Sequence, residues 1–349
     1  MSGGVDSSVA AALVQAAGAE PIGVFMHLWD YPPDGKRYAG CCSLDDAFDA
    51  RRVAEKLDIP FYTLDMRDPF RKEVVRPFAE AFIAGRTPNP CAHCNRFVKF
   101  GALLELADRM GVRWIATGHY VRRSSPDAPL RLFCGADPAK DQSYFLATTP
   151  KEALSRVVFP VGSLAKEATR AIAAFMGLPT ARKAESQDVC FIPNGDRAPI
   201  LKRMGGEAAL AAGEIVHAAT GEVLGRHRGT AYYTIGQRRG LGLSRGPWKV
   251  VRIDPARARV EVLPAEAAKI RAVRVQDWVW FRRPERDEAL SVKLRYRMQP
   301  APCAVRAEEG AVAIELRQPE EPTAPGQVAA LYAGEELLGG GVVEAVEFA

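Results

Sequence analysis

The run Ser2-Gly-Gly-Val-Asp-Ser-Ser8 leads directly into an apolar, helix-like stretch. Gly3 and Gly4 let the backbone come close to a ligand, and a helix N-terminus offers unpaired N–H groups at the positive end of its dipole. Ser2, Ser7 and Ser8 add hydroxyl donors, and Asp6 adds a carboxylate able to cap the helix or meet a divalent cation. Such a loop suits pyrophosphate; an ordinary glycine-containing turn with a Ser/Asp cap is the other reading. The sequence has no Gly-x4-Gly-Lys-Ser/Thr run, so the loop is not of the Walker A type. A second set of reactive groups lies in Thr87-Pro-Asn-Pro-Cys-Ala-His-Cys-Asn95, where Cys91 and Cys94 precede a helix-like stretch. That setting lowers a thiol pKa and makes a reactive thiolate. A zinc or structural thiol pair is the alternative, although the second C-x-x-C of a four-cysteine site is missing. Cys190 stands alone in polar surroundings, Cys134 and Cys303 sit in strand-like apolar runs and read as core, and Cys41 and Cys42 are adjacent.

The elements that must position these groups alternate between strand and helix in the first half, the pattern of a parallel sheet with crossover helices. Helices are predicted over Val9 to Ala17, capped by Asp6 or Ser7, from Asp45 or Asp46 to Leu57, over Phe70 to Ile83 with a kink at Pro77, over Phe97 to Met110, and over Leu164 to Met176. Strands are predicted over Pro21 to Met26, Phe61 to Asp65 and Trp114 to Thr117. A phosphate loop in a doubly wound sheet follows a strand. Here the sequence opens inside the loop, and an upstream strand is expected. Beyond about Pro193 the texture turns to short β-like runs, with a hairpin at Trp248 to Leu263 and alternation over Ser291 to Arg297 and Ala311 to Leu316, which suggests a small barrel.

The chain has 349 residues, 48% of them hydrophobic and 26% charged, enough for a buried core and too apolar for a wholly disordered chain. No apolar run approaches the ~18 residues that span a bilayer, and no secretory signal opens the chain. A soluble, cytoplasmic protein is expected. The net charge of +5 favours an anionic partner such as nucleic acid.

The string at the start resembles the PP-loop of the ATP pyrophosphatases. Further motifs follow in order: Thr87-Pro-Asn-Pro with Cys94-Asn95, Ala116-Thr-Gly-His-Tyr120, Lys140-Asp-Gln-Ser-Tyr-Phe-Leu146, Glu185-Ser-Gln-Asp-Val-Cys-Phe-Ile192, Tyr233-Thr-Ile-Gly-Gln-Arg-Arg-Gly-Leu-Gly242 and Pro325-Gly-Gln327. Together they resemble the tRNA-specific 2-thiouridylase family over nearly the whole chain. The resemblance implies an α/β fold: a PP-loop (adenine nucleotide alpha hydrolase-like) parallel-sheet domain at 1–192, a small mixed tRNA-binding domain at 193–270 and a C-terminal β-barrel at 271–349. It implies ATP-dependent 2-thiolation of the wobble uridine of tRNA, through adenylation of the uridine O2 and sulfur transfer.

By the same resemblance, Met1, Ser2, Gly3, Gly4, Val5, Asp6, Ser7, Ser8, Met26 and Gly118 would bind ATP with Mg2+. Asn89, Pro90, Cys91, His119, Lys140, Asp141, Gln142, Arg295, Tyr296 and Gln327 would contact the anticodon region of tRNA. Cys190 would carry a persulfide taken from a sulfur donor such as a cysteine desulfurase or relay protein. Cys94 would be the nucleophile that releases sulfur or closes a transient disulfide with it. Cys91 departs from the Asp that many members carry. In the three-cysteine form of the family, Cys91, Cys94 and Cys190 would be iron ligands of a [4Fe-4S] cluster. Two other readings compete: another PP-loop adenylating ligase or amidotransferase, and a non-catalytic RNA-binding protein with a decayed loop.

Overall fold

Apolar five-residue runs separated by amphipathic helical stretches fold as parallel pairs, because a crossover helix covers the strands it joins. The computed structural model describes residues 1–30, 43–185, 189–192 and 195–349. Cys41, Cys42 and the Ser-Gln-Asp stretch of the Cys190 motif lie outside the described residues. The chain divides into two units, one of residues 1–74, 93–195 and 335–337, the other of 75–92, 196–334 and 338–349.

In the first unit, strand Gly23–His27 pairs in parallel with Phe61–Asp65. The crossover helix Leu44–Leu57 joins them. Its cap is Ser43 rather than Asp45 or Asp46: the Asp46 N–H donates to Ser43 Oγ at 3.1 Å and the Ser43 N–H donates back to Asp46 Oδ2 at 2.9 Å, a closed capping box. A second parallel pair, Ile115–Ala116 with Val157–Val158, forms a separate sheet. The parallel character expected from the sequence is therefore present, as two two-stranded sheets. Helix Val5–Ala16 starts four residues earlier than its apolar pattern suggested, at Gly4. Asp6 and Ser7 lie within its first turn and do not cap it. Val5, Val9, Ala12, Val53 and Leu57 bury the faces of the two helices together with Tyr120.

The stretch predicted as one helix from Phe97 to Met110 is divided between the end of a wide π-type turn, Cys94–Lys99, and helix Phe100–Arg109, and a short turn Pro90–His93 precedes them. Pro77 sits in the first turn of helix Arg76–Ile83, directly after a wide π-type turn at Arg71–Val75.

The second unit is mostly β. Strands Gly213–His217, Val223–His227, Trp248–Asp254 and Arg259–Pro264 form a four-stranded sheet, and the predicted hairpin is its antiparallel Trp248–Asp254/Arg259–Pro264 pair. Six further strands close a barrel: Glu336–Phe348 returns to pair with Ile270–Trp280, which removes the open edges. Val273, Val275, Val292, Ile314, Leu331 and Val343 fill its interior. Cys303 is buried among them and burial pushes its thiol up to about 12, as fits a core cysteine. The strand predicted through Arg297 ends at Lys293. Arg295 and Tyr296 lie in a turn closed by the Met298 N–H on Arg295 O at 3.1 Å, so alternation of faces does not govern where they point.

Candidate active site

The phosphate loop is held by contacts that only its sequence permits. Gly3 has φ +72°, and a Cβ there would lie 2.2 Å from the Asp46 carbonyl oxygen. Gly4 caps the helix with extended backbone. The Ser2 N–H donates to Ser7 Oγ at 3.0 Å, while the Ser7 and Ser8 hydroxyls donate to Gly4 O at 3.1 and 2.9 Å. Val5 is core, and Asp6 sits in the first turn with its carboxylate partly exposed. The Ala-Thr-Gly-His-Tyr segment packs on this loop: a Cβ on Gly118 would lie 2.6 Å from the backbone carbon of Asp6 and the nitrogen of Ser7.

A cavity of about 550 Å³ opens beside the loop, within the size range of small-molecule sites. Met1, Ser2, Asp6, Ser7, Met26 and Gly118 all line it, so those residues expected to bind nucleotide share one space. The cavity continues between Val24 of the first parallel pair and Ile115 of the second, and the Met1 amino group donates to Val24 O. His119 and Gln142, expected at the tRNA, also line it. The His119 ring lies 2.9 Å from Thr117 Oγ1 and packs against Phe100 and Phe159. Enclosure of the ring, helped by the Lys99 charge, pulls its pKa down to about 3 and keeps it neutral.

Lys-Asp-Gln is largely engaged within the unit. Lys140 is ion-paired with Glu185 at 2.7 Å. Buried Asp141 accepts from the Gly135 N–H at 3.0 Å and from Ser143. Gln142 exchanges hydrogen bonds with the Tyr120 backbone, at 3.0 Å each way.

The three thiols differ in setting. Cys91 is exposed, Cys94 buried and Cys190 half-buried, and all three are thiols rather than halves of a disulfide. Phe191, next to Cys190, stacks edge-on against Phe70 with centroids 5.5 Å apart, and the Arg67–Phe70 turn packs on the turn that begins with Cys94. Among the described residues, no three His, Cys, Asp or Glu side chains are arranged to hold a metal ion. Cys91, Cys94 and Cys190 do not form such a group among the described residues. For Mg2+, a hard cation that takes oxygen ligands, the loop offers serine hydroxyls and the Asp6 carboxylate, whose oxygens also accept from Lys166 and Tyr120.

In the second unit, two motifs far apart in sequence meet. Gln327 Nε2 donates to Thr87 O at 2.8 Å, and the Thr87 N–H donates to Pro325 O at 2.9 Å. Gly326, at φ +96°, lies against the Thr87 carbonyl where a side chain would crowd. Buried Asn89 accepts from the Ala92 N–H at 3.1 Å and so shapes the turn carrying Pro90 and Cys91. Arg295 Nε is buried.

Sequence reasoning missed the ion network behind the loop. Lys166 Nζ donates to both Asp6 carboxylate oxygens at 2.7 and 2.8 Å and lies 3.1 Å from Glu185 Oε1. No local signal marks it: Lys166 meets Asp6 and Glu185 only once the fold brings three distant stretches together.

The models that match the chain are described as a tRNA methyl transferase HUP domain over residues 1–194, a tRNA methyl transferase PRC-barrel domain over 200–264 and an aminomethyltransferase beta-barrel domain over 270–343. The tRNA-specific 2-thiouridylase MnmA of Geobacter metallireducens is 46% identical over 99% of this chain and 95% of its own length. The chain belongs to the tRNA-specific 2-thiouridylase family. The 2-thiouridylase of Thermus thermophilus is likewise 46% identical, over 98% of this chain and 93% of its own, and that of Xanthobacter autotrophicus is 44% identical over 99% and 92%. No helix among the described residues is long and apolar enough to cross a membrane.

Proposed function

We propose that the protein is an ATP-dependent tRNA-uridine 2-sulfurtransferase acting on the wobble uridine. The near-full-length likeness to 2-thiouridylases carries this reading. The cavity beside the phosphate loop supports ATP as co-substrate. A phosphate loop for ATP and thiols to carry sulfur are what ATP-dependent thiolation requires.

In the reaction we infer, the uridine O2 attacks the α-phosphorus of ATP and the bond to pyrophosphate breaks. The oxygen becomes a leaving group, since a carbonyl oxygen cannot depart unaided. Loop N–H groups and the helix N-terminus hold the phosphates, and Asp6 would hold Mg2+, which neutralises phosphate charge. The outer sulfur of a Cys190 persulfide then attacks C2, and AMP leaves with the oxygen. The Cys94 thiolate attacks the Cys190 sulfur, breaks the S–S bond and leaves the outer sulfur on C2. Cys94 and Cys190 end as a disulfide, which an external dithiol must reduce by two electrons before a persulfide donor reloads Cys190. Asn89, Pro90, Cys91, His119, Lys140, Asp141, Gln142, Arg295, Tyr296 and Gln327 are proposed tRNA contacts, with Asn89, Asp141 and Gln142 shaping the backbone that presents the others.

The test is incubation of the purified protein with unmodified tRNA, ATP, Mg2+, a persulfide source and a dithiol. Nucleoside mass spectrometry should find 2-thiouridine. Its absence, with the tRNA bound and the thiols reduced, would overturn the reading.

A further inference from the structure

Helix Lys166–Phe175 stands between the phosphate loop and the segment that leads to Cys190. It presents Lys166 and Arg170 on one face, four residues apart. Arg170 donates to Ala181 O at 3.0 Å and to Lys183 O at 3.1 Å, which fixes the backbone of that segment. Lys183 in turn pairs with Asp46 and Asp49 at 2.6 Å each, and the Asp46 carbonyl is the one against which Gly3 packs. Lys166 itself is 7% exposed and bridges the loop carboxylate Asp6 to Glu185, the first residue of the Cys190 motif. The Tyr120 hydroxyl donates to Asp6 Oδ1 at 2.7 Å, and the Lys166 ammonium lies 5.6 Å from the Tyr120 ring centroid. Burial opposes ionisation of Glu185, but hydrogen bonds from Lys140 and Lys166 outweigh it and hold the carboxyl below its usual range.

A buried ammonium shared by two carboxylates costs desolvation that a hydrophobic residue would avoid. Here the two carboxylates belong to the two halves of the chemistry, one on the loop that takes the phosphates and one on the arm that takes the sulfur. From this geometry we propose that Lys166 is a positioning residue that couples adenylation to sulfur delivery, by tying the phosphate loop through Asp6 to the Cys190 arm through Glu185. The inference rests on the thiolation reading above. When the tie is intact, each adenylated uridine meets a correctly placed Cys190 arm. When it is cut at Glu185, the loop still adenylates, sulfur delivery falls behind, and water returns the adenylated uridine to uridine and AMP.

The experiment measures 2-thiouridine formed per pyrophosphate released, in single turnover with persulfide-loaded protein. Glu185→Gln keeps the shape and the Lys166–Asp6 pair; pyrophosphate release should persist while the ratio falls about fivefold or more, the scale on which small misplacements act. Lys166→Met should lower both pyrophosphate release and the ratio, and Lys166→Arg should recover part of the ratio. A purely structural role would scale both products with the folded fraction and leave the ratio unchanged. An unchanged ratio in folded Glu185→Gln and Lys166→Met proteins overturns the coupling while leaving the function intact. Absence of 2-thiouridine from wild-type protein overturns the function and the coupling with it.

Discussion

At the scale of single residues, chemistry and environment divide the roles. Cys190 is half-buried and Cys94 buried, so an incoming sulfur donor has easier access to Cys190. Cys190→Ser should abolish 2-thiouridine formation while tRNA-dependent pyrophosphate release continues, since no thiol takes part in adenylation; assaying both products checks this. Cys91 is exposed and takes no part in the persulfide–disulfide cycle, so Cys91→Ser should keep substantial activity in aerobic protein; loss of thiolation in this variant would give Cys91 a chemical role. His119 gives a different kind of test. In the unfolded chain its ring takes a proton near 6.5, but in the folded protein only near 3. Between those values the unfolded state binds more protons, so stability falls as pH drops through the window. Thermal midpoints of wild type and His119→Gln should therefore converge, or cross, as pH falls from 6.5 towards 3, and a constant difference would refute an enclosed neutral ring.

At the scale of elements, steric detail separates glycines that look alike in the sequence. A Cβ on Gly3 would meet the Asp46 carbonyl at 2.2 Å and one on Gly118 would meet loop backbone at 2.6 Å, whereas one on Gly4 finds only Ser2 Oγ at 3.5 Å. Gly3→Ala and Gly118→Ala should each cost roughly 1–3 kcal/mol through overpacking. Each should also weaken ATP binding at least about tenfold, equivalent to about 1.4 kcal/mol; calorimetry of ATP binding checks this. This contrast also marks the limit of what sequence shows. Strand Phe61–Asp65 and the Trp248 hairpin were legible because alternation and turn residues are local signals. The division of Phe97 to Met110 at a wide turn, the Ser43 cap and the end of a strand at Lys293 were not, because packing from distant residues decides them. The loop and its cavity partners were legible through motifs, whereas Lys166 and Arg170 acquire meaning only when the fold sets Asp6 and the 181–185 backbone against one helix face.

At the scale of the whole molecule, the second unit is held by charges drawn from three separate stretches of sequence. Lys249 is 1% exposed on the hairpin strand Trp248–Asp254, Lys269 precedes the first barrel strand, and Glu321 follows strand Ala311–Glu320. Both ammonium groups reach Glu321, at 2.5 and 2.7 Å, and Lys249 has a further, longer bond to Ala265 O at 3.3 Å. Burial works against the Glu321 charge, but the hydrogen bonds from Lys249 and Lys269 outweigh it and draw its pKa from 4.5 down to about 2. A depressed carboxylate contributes stability that is fully present above 4.5 and is lost as pH falls through the folded value near 2. Glu321→Gln leaves the buried Lys249 ammonium without its carboxylate. The cost should be roughly 2 kcal/mol, less than the ~3–5 kcal/mol of a fully buried pair because Glu321 is 38% exposed and screened by solvent. Denaturant unfolding of the full chain at neutral pH should show that loss, and the gap between wild type and variant should shrink as pH is lowered from 4.5 towards 2. A gap that stays constant into acid would mean that Glu321 contributes through packing rather than charge. Lys249→Met supplies the complementary measurement: it removes the buried charge together with its need for a partner, so it should cost less than Glu321→Gln even though both break the same ion pair.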